Sequence, residues 1–140
     1  MFKHILLPTD GSELSERTAR DGIRFAKLTG TQVTALHTTP VLCPPGTHVR
    51  PGEQEEHSKA DAQRALDPIE RMARDANVAF TAAHRVSDNP WEAIISVAEE
   101  RGCDLIFMAS HGRCGINALL IGSETNKVLT HSKIPALIWR

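Results

Sequence analysis

Cysteine is scarce and poorly placed for cross-linking. The three present, Cys43, Cys103 and Cys114, form no Cys-x-x-Cys pair, and an odd number makes a poor disulfide framework, so a reducing cytoplasm is the expected setting. An excess of one charge is also missing. The 16 basic and 17 acidic residues interleave along 140 positions for a net charge of -1, which leaves no basic stripe for nucleic acid and no acidic tail. No apolar run approaches the roughly 20 residues of a membrane span, and the opening MFKHILLPTDGS has too short an apolar stretch for a signal peptide. Neither a nucleic-acid nor a membrane partner is expected.

Several chemistries drop out with their motifs. No Gly-x-x-x-x-Gly-Lys-[Ser/Thr] loop occurs and no Gly-x-Gly-x-x-Gly follows the first apolar run, which disfavours a standard P-loop enzyme and a dinucleotide dehydrogenase. There is no Gly-x-Ser-x-Gly elbow, and no Ser, His and Asp are ordered as a nucleophilic set. Cys43, His48 and His57 share one loop and His111 precedes Cys114, but neither spacing is that of a structural zinc site, so no metal centre is expected. Cys114 lies in a glycine-rich turn before a helix, which suits either a stabilised thiolate or an incidental small residue. His37 and His84 fall on strands and read as satisfied structural histidines.

What the chain does contain is alternation. Residues 4 to 7, His-Ile-Leu-Leu, are an apolar run stopped by Pro8 and Gly11, a strand buried on both faces. Asp10 or Ser12 can cap the helix that follows, Glu13 and Glu16 suit its positive end, and Ala19, Gly22, Ile23 and Ala26 recur at helical spacing up to Gly30. Thr31 to His37 reads as a second strand. Four prolines and two glycines between 38 and 58 predict a mobile loop without regular structure. Ala62, Ala65, Leu66, Ile69, Met72 and Ala73 then mark one helical face, with a kink or a helix start near Asp67 where Pro68 intervenes.

Residues 78 to 86 predict a third strand, and Asn89-Pro90-Trp91-Glu92 a third helix, with Asn as cap and Pro at the first helical position. Gly102 ends that helix. A fourth strand over 105 to 108, a fourth helix from about Gly122 to Ser132 and a last strand from Ala136 to Trp139 complete the order βαβαβαβαβ. Such alternation implies one α/β domain over residues 1 to 140, a doubly wound five-stranded parallel sheet with helices on both faces.

In such sheets a ligand sits beyond the carboxyl ends of the strands, where strand order reverses. If the first and fourth strands are neighbours there, Pro8 to Ser12 and Ala109 to Gly112 flank one crevice. Gly112, Gly115 and Gly122-Ser123 can bring backbone N–H groups and a helix N-terminus to an anion, or they can simply form the turn, with Ser123 as the cap. Asp10 can cap its helix or accept hydrogen bonds from a ribose or an adenine. Trp139 ends a last strand at the sheet edge, where a copy of the same strand can cover it in a symmetric dimer, unless it folds back onto a helix.

The stretches ILLPTDGS, LHTTP, DLIFMASHGR and LLIGSETNKVLTHSKIPALIW together resemble the universal stress protein family over nearly the whole chain. The resemblance implies a Rossmann-like fold akin to the adenine nucleotide alpha hydrolases. In the ATP-binding branch the signature is Gly, two residues, Gly, nine residues, then Gly followed by Ser or Thr. Gly112, the stretch Arg113 to Ile121, and Gly122-Ser123 match its spacing, while Ala109 stands where the first Gly would be. The resemblance implies ATP as ligand, with Mg²⁺ on the phosphates as an accompaniment.

Carried over residue by residue, it places Asp10 on the ribose or adenine side and Pro8 and Thr38 at the base, with Thr9 among the ligand-binding residues. Ala109, Ser110, Gly112, Arg113, Gly115, Gly122, Ser123, Glu124 and Thr125 fall to the phosphates. It also implies a homodimer through Ala136, Leu137, Ile138 and Trp139, unidentified protein partners, and a stress-response role without a catalytic residue, with at most slow ATP hydrolysis. The alternative is a nucleotide-free partner-binding module of the same fold, which Ala109 favours.

Overall fold

In the computed structural model, which describes residues 1 to 42, 46, 48 to 112 and 121 to 140, local signals build nine elements in strict alternation. They are β1 (His4–Thr9), α1 (Glu13–Thr29), β2 (Gln32–Thr39), α2 (Glu53–Ala76), β3 (Phe80–Val86), α3 (Pro90–Glu100), β4 (Leu105–Ala109), α4 (Ser123–His131) and β5 (Ala136–Trp139). The strands form one parallel sheet in the order β3-β2-β1-β4-β5. Strand order therefore reverses between β1 and β4, the two strands expected to flank the crevice. Among the described residues no helix is long and apolar enough to cross a membrane.

Alternating side chains divide the core by the two faces of the sheet. Ile5, Leu7, Val33, Ala35, Leu105 and Phe107 point toward α1 and α2, where Ala19, Ile23, Leu66 and Ile69 meet them. Leu6, Leu36, Ala83, Ile106 and Met108 point the other way, against Ile94 and Val97 of α3 and Val128 of α4. At Gly22 the backbone of α1 lies so close to the sheet that an added Cβ would stand 2.6 Å from Leu7 Cδ2.

The helix ends follow the sequence signals closely. Ser12 is the cap of α1, its Oγ accepting from the Ser15 N–H at 3.2 Å, and Gly30 closes the helix at φ 68°. Asp10 therefore does not cap α1. It folds its own turn instead, Oδ1 accepting from the Ser12 N–H at 2.9 Å.

Three expectations are corrected. β1 extends through Pro8 to Thr9 instead of stopping at Leu7; the β1–β4 pairs are Ile5 with Leu105 and Leu6 with Ile106, and Pro8 lies past them, so its missing N–H interrupts neither. The loop expected over 38 to 58 is shorter at both ends, because Thr38 and Thr39 finish β2 and α2 begins at Glu53. Pro40, Pro44, Pro45 and Pro51 all precede that start, while Glu53, Glu55 and Glu56 sit in the first turn, where the helix dipole favours acidic side chains. Finally, α2 continues through Pro68 without a new start near Asp67.

Candidate functional site

The carboxyl ends of β1, β2 and β4 and the start of α4 enclose two adjoining chambers. The smaller, about 120 Å³, has an apolar wall of Pro8, Leu36, Pro90, Ile94, Met108 and Ala109. The larger, about 390 Å³, is polar and takes in His37, Pro40, Asp61, Gly122 and Ser123. Asp10, Thr38, His111, Gly112, Glu124 and Thr125 line both. Most of the expected residues are thus brought to one crevice; Arg113 and Gly115, with Cys114, lie outside the described residues.

Two glycines are required by proximity and not by an unusual φ. A Cβ on Gly112 would stand 2.6 Å from Asp10 Oδ2, and one on Gly122 would stand 3.0 Å from His111 Cα. Gly122 also donates its N–H to Ser110 O at 2.7 Å, so the end of β4 and the start of α4 are tied. Ala109 needs no glycine. It is an ordinary residue of β4, paired with Trp139 and buried, and Asn77 is the one described non-glycine residue with positive φ.

Several expected side chains are committed elsewhere. Thr9 Oγ1 lies 2.9 Å from Ser15 Oγ and accepts from the Gly11 N–H. Thr125 Oγ1 donates to Ala109 O at 3.0 Å. Ser110, expected at the phosphates, lines neither chamber; it is buried with its hydroxyl 3.1 Å from His111 Nδ1. Ser123 does not cap α4, since Gly122 holds the cap position and no side chain caps the helix.

Glu124, also expected at the phosphates, turns its carboxylate to another helix. Its Oε2 accepts from the Trp91 N–H at 2.9 Å and its Oε1 from Lys127 Nζ at 3.4 Å. The Asn89 side chain, expected to cap α3, makes no capping bond, and Glu124 supplies the acceptor there. The helix end is thus satisfied from a residue 33 positions away.

The sequence reading missed His37, Asp61 and His111 as lining residues. His37 is buried, with Nδ1 2.9 Å from Thr9 O and Nε2 2.7 Å from Asp61 Oδ2. Thr39 Oγ1 also donates to Asp61 Oδ2, at 3.1 Å. Burial works against the Asp61 charge, but hydrogen bonds from His37 and Thr39 and the nearby Arg64 outweigh it, and the pKa of Asp61 is lowered. His37 is a satisfied histidine, as expected, and at the same time part of the wall. Its position just before Thr38 in LHTTP was the available signal. Among the described residues no cluster of three or more His, Cys, Asp or Glu could hold a metal ion.

At the sheet's far edge Trp139 folds back. Its Nε1 donates to Asp21 Oδ2 on α1 at 3.0 Å, and its ring lies 5.5 Å from that of Phe107.

Comparison with known proteins matches both the sequence and the architecture. Universal stress protein MJ0531 of Methanocaldococcus jannaschii is 30% identical over 99% of this chain and 82% of its own length. The solved structure of MJ0577 from the same organism superposes with a TM-score of 0.80 at 27% identity, covering 99% of this chain and 95% of that one. A universal stress protein solved in complex with cAMP shares the fold, with a TM-score of 0.76 at 21% identity over 99% of this chain and 97% of its own. The universal stress protein family model matches residues 1 to 140, and with its five parallel strands and its crevice between β1 and β4 the chain belongs to that family.

Proposed function

We propose that the crevice binds an adenine nucleotide, ATP in the first place, and that the protein acts as a regulatory binding protein of the stress response rather than as an enzyme. The observation that carries this reading is the joining of an apolar slot to a polar chamber at the uncapped N-terminus of α4. A purine suits the slot between Pro8, Leu36, Ile94 and Met108. Phosphate oxygens suit the first amides of α4, where unpaired donors and the helix dipole favour anions. The residues fit the ligand on one further observation: positions 112 and 122, where a Cβ would meet Asp10 Oδ2 and His111 Cα, are glycine, so the backbone that lines the polar chamber there carries no side chain and an anion can approach it closely. Asp10 and Thr38 line both chambers, where a ribose would join base to phosphate. Mg²⁺ would bind through the phosphates and bring charge neutralisation.

A binding role is supported by the hydroxyls nearest the crevice. Thr9 and Thr125 are engaged with Ser15 and the Ala109 carbonyl, and Ser110, whose hydroxyl lies 3.1 Å from His111 Nδ1, lines neither chamber. The related protein solved with cAMP supports the adenine class. The nucleotide-free alternative drew on Ala109, whose backbone is ordinary strand.

The dimer through β5 belongs to the same proposal. Among the described residues β5 pairs with β4 alone, which leaves its outer edge for a second copy, and Trp139 stays 40% exposed after folding back. Cytoplasmic residence and unidentified protein partners complete the reading.

The test is to purify the protein without added nucleotide, release bound small molecules with acid and identify them by mass, then titrate the stripped protein with ATP with and without Mg²⁺. Copurifying adenine nucleotide or a binding isotherm is expected. The absence of both would overturn the reading. Sedimentation of the wild type against Ile138→Arg tests the dimer, which the arginine should split.

A further inference from the structure

The bridge from Thr9 through His37 to Asp61 contains a proton that its hydrogen bonds require. A carbonyl oxygen only accepts, so Nδ1 of His37, 2.9 Å from Thr9 O, carries a hydrogen. Nε2 faces Asp61 Oδ2 at 2.7 Å. An ionised carboxylate also only accepts, so a second hydrogen must lie between these two atoms, on one or the other. A neutral imidazole facing an ionised Asp61 satisfies one of its two acceptors and must turn its lone pair on the other. Removing the proton therefore releases either Thr9, the neighbour of Asp10, or Asp61, on α2.

The surroundings make this loss matter. His37 is 4% exposed, so water cannot replace the missing bond at little cost. Asp61 is flanked on α2 by His57 and Arg64, and Arg64 lies 3.5 Å from its Oδ1. Asp10 reaches the chamber from the β1–α1 turn, His111 from the end of β4 and Glu124 from α4, while His84 of β3 pairs in register with His37. With its proton, the His37–Asp61 pair is neutral overall. Without it the pair adds a negative charge to a chamber that already holds the side chains of Asp10 and Glu124.

We propose that His37 is a positioning residue for the ligand crevice, and that the proton it shares with Asp61 ties β1 to α2 and sets the affinity of the polar chamber for anions. The inference rests on the nucleotide reading for its ligand and on the bridge alone for its mechanism. Geometry and charge act with the same sign: an anionic nucleotide binds more tightly on the acid side of the transition and more weakly once the proton leaves.

The experiment has two arms. Ring-nitrogen NMR of the free protein follows the hydrogens on His37 Nδ1 and Nε2 as the pH is raised from acid to mildly alkaline. Both ring nitrogens should carry hydrogen at the acid end, and loss of one should move the backbone amides of Asp10 and Gly11. Calorimetry with cAMP, a phosphodiester whose own charge is constant over this range, should show affinity falling about tenfold as the pH rises, an ordinary coupling magnitude. Asp61→Asn should move both transitions to lower pH, and His111→Gln should leave the step in place whatever it does to affinity.

A His37 with one protonated nitrogen throughout, a flat cAMP profile, or a step that His111→Gln abolishes would overturn the proposal. If neither cAMP nor ATP binds at any pH, the nucleotide reading fails, and the NMR arm decides the bridge by itself. A ring titration that leaves the Asp10 and Gly11 amides unmoved then refutes it.

Discussion

Gly112 and Asp10 approach so closely that no side chain fits between them: a methyl carbon at position 112 would stand 2.6 Å from Asp10 Oδ2. The two residues come from opposite walls of the crevice, one after β4 and one after β1. The obstacle at 112 is the end of a side chain, which can turn aside, whereas at Gly122 it is the His111 Cα at 3.0 Å, which is backbone. Gly112→Ala should therefore cost only about 0.5–1 kcal/mol of stability, through the strained Asp10 bond to the Ser12 N–H, while displacing Asp10 and weakening ATP binding about tenfold or more, a change of ~1.4 kcal/mol. Gly122→Ala should lower stability by about 1–3 kcal/mol, the usual cost of overpacking. Urea denaturation and calorimetry on the two variants distinguish the effects, and equal stability losses would refute the contrast.

Ala109→Gly removes the methyl that stands where the ATP-binding signature has glycine. Because Ala109 is regular strand, the methyl imposes no backbone strain, and the substitution should change ATP affinity by less than about threefold, ~0.7 kcal/mol. It should cost about 0.5–1 kcal/mol of stability through the added freedom of the unfolded chain. A tenfold gain in affinity would show instead that the native side chain excludes the ligand.

Glu124 joins α4 to the first turn of α3 through the Trp91 N–H. Glu124→Ala leaves that helix end without its acceptor and should cost about 1 kcal/mol, the usual worth of a cap. Glu124→Gln keeps an accepting oxygen and removes the charge, so it should retain most of the stability and raise affinity for ATP more than for cAMP. A stability loss in Glu124→Gln as large as in Glu124→Ala would mean that charge, and not the acceptor, holds the two helices.

Acid should weaken the fold in two stages. Burial lowers the pKa of His4, which sits 2.7 Å from Thr34 Oγ1. Asp104 is opposed by burial but accepts from the amides of His4 and Lys3, at 3.0 and 2.8 Å, and its pKa is lowered overall. In each case the unfolded chain binds the proton more readily, so stability rises with pH across the window. The His4 share is complete above roughly pH 6.5 and is lost as the pH falls through its lower folded value; the Asp104 share is complete above roughly pH 4 and is lost below that. Asp104→Asn should flatten the acidic stage of a Tm-against-pH curve and, because the Asp104 charge holds the His4 pKa up against burial, move the His4 stage to lower pH. A His4→Gln variant with the same Tm-against-pH curve as the wild type would contradict the His4 assignment, and an unchanged acidic stage in Asp104→Asn would contradict the other.

Thr18 is buried in α1, and among the described residues its Oγ1 has no hydrogen-bond partner. Thr18→Val keeps the branched shape and removes the unsatisfied oxygen, so denaturant midpoints should hold or rise, by up to about 1 kcal/mol in stability. A clear loss would reveal a partner for the hydroxyl.

The parts of the fold that were legible in the sequence are those written locally. Ser12 and Gly30 bound α1, Pro90 opens α3, and short apolar runs place every strand within a few residues. The loop before α2 was read too long because prolines dominated the reading, although the acidic run Glu53, Glu55 and Glu56 was already the mark of a helix start. Within the site, Gly112 and Gly122 were legible from spacing, and Asp10 and Thr38 from their places at strand ends. The Asp61 contact of His37 and the Trp91 contact of Glu124 were not. Each joins elements 24 and 33 residues apart, and no local pattern encodes which face of a helix meets which strand end.

The position of β1 at the centre of the sheet has a consequence for how the protein is made. Its partner β2 follows within a few residues of α1, but Asp104, which clamps the amides of Lys3 and His4, is about a hundred positions away. A nascent chain can therefore pair β1, β2 and β3 under α1 and α2 while it is still being translated, since domains assemble as their segments emerge. The crevice waits for β4 and α4. Any small molecule that binds there registers only chains that have reached α4, and a product truncated before β4 would present three paired strands that are blind to it.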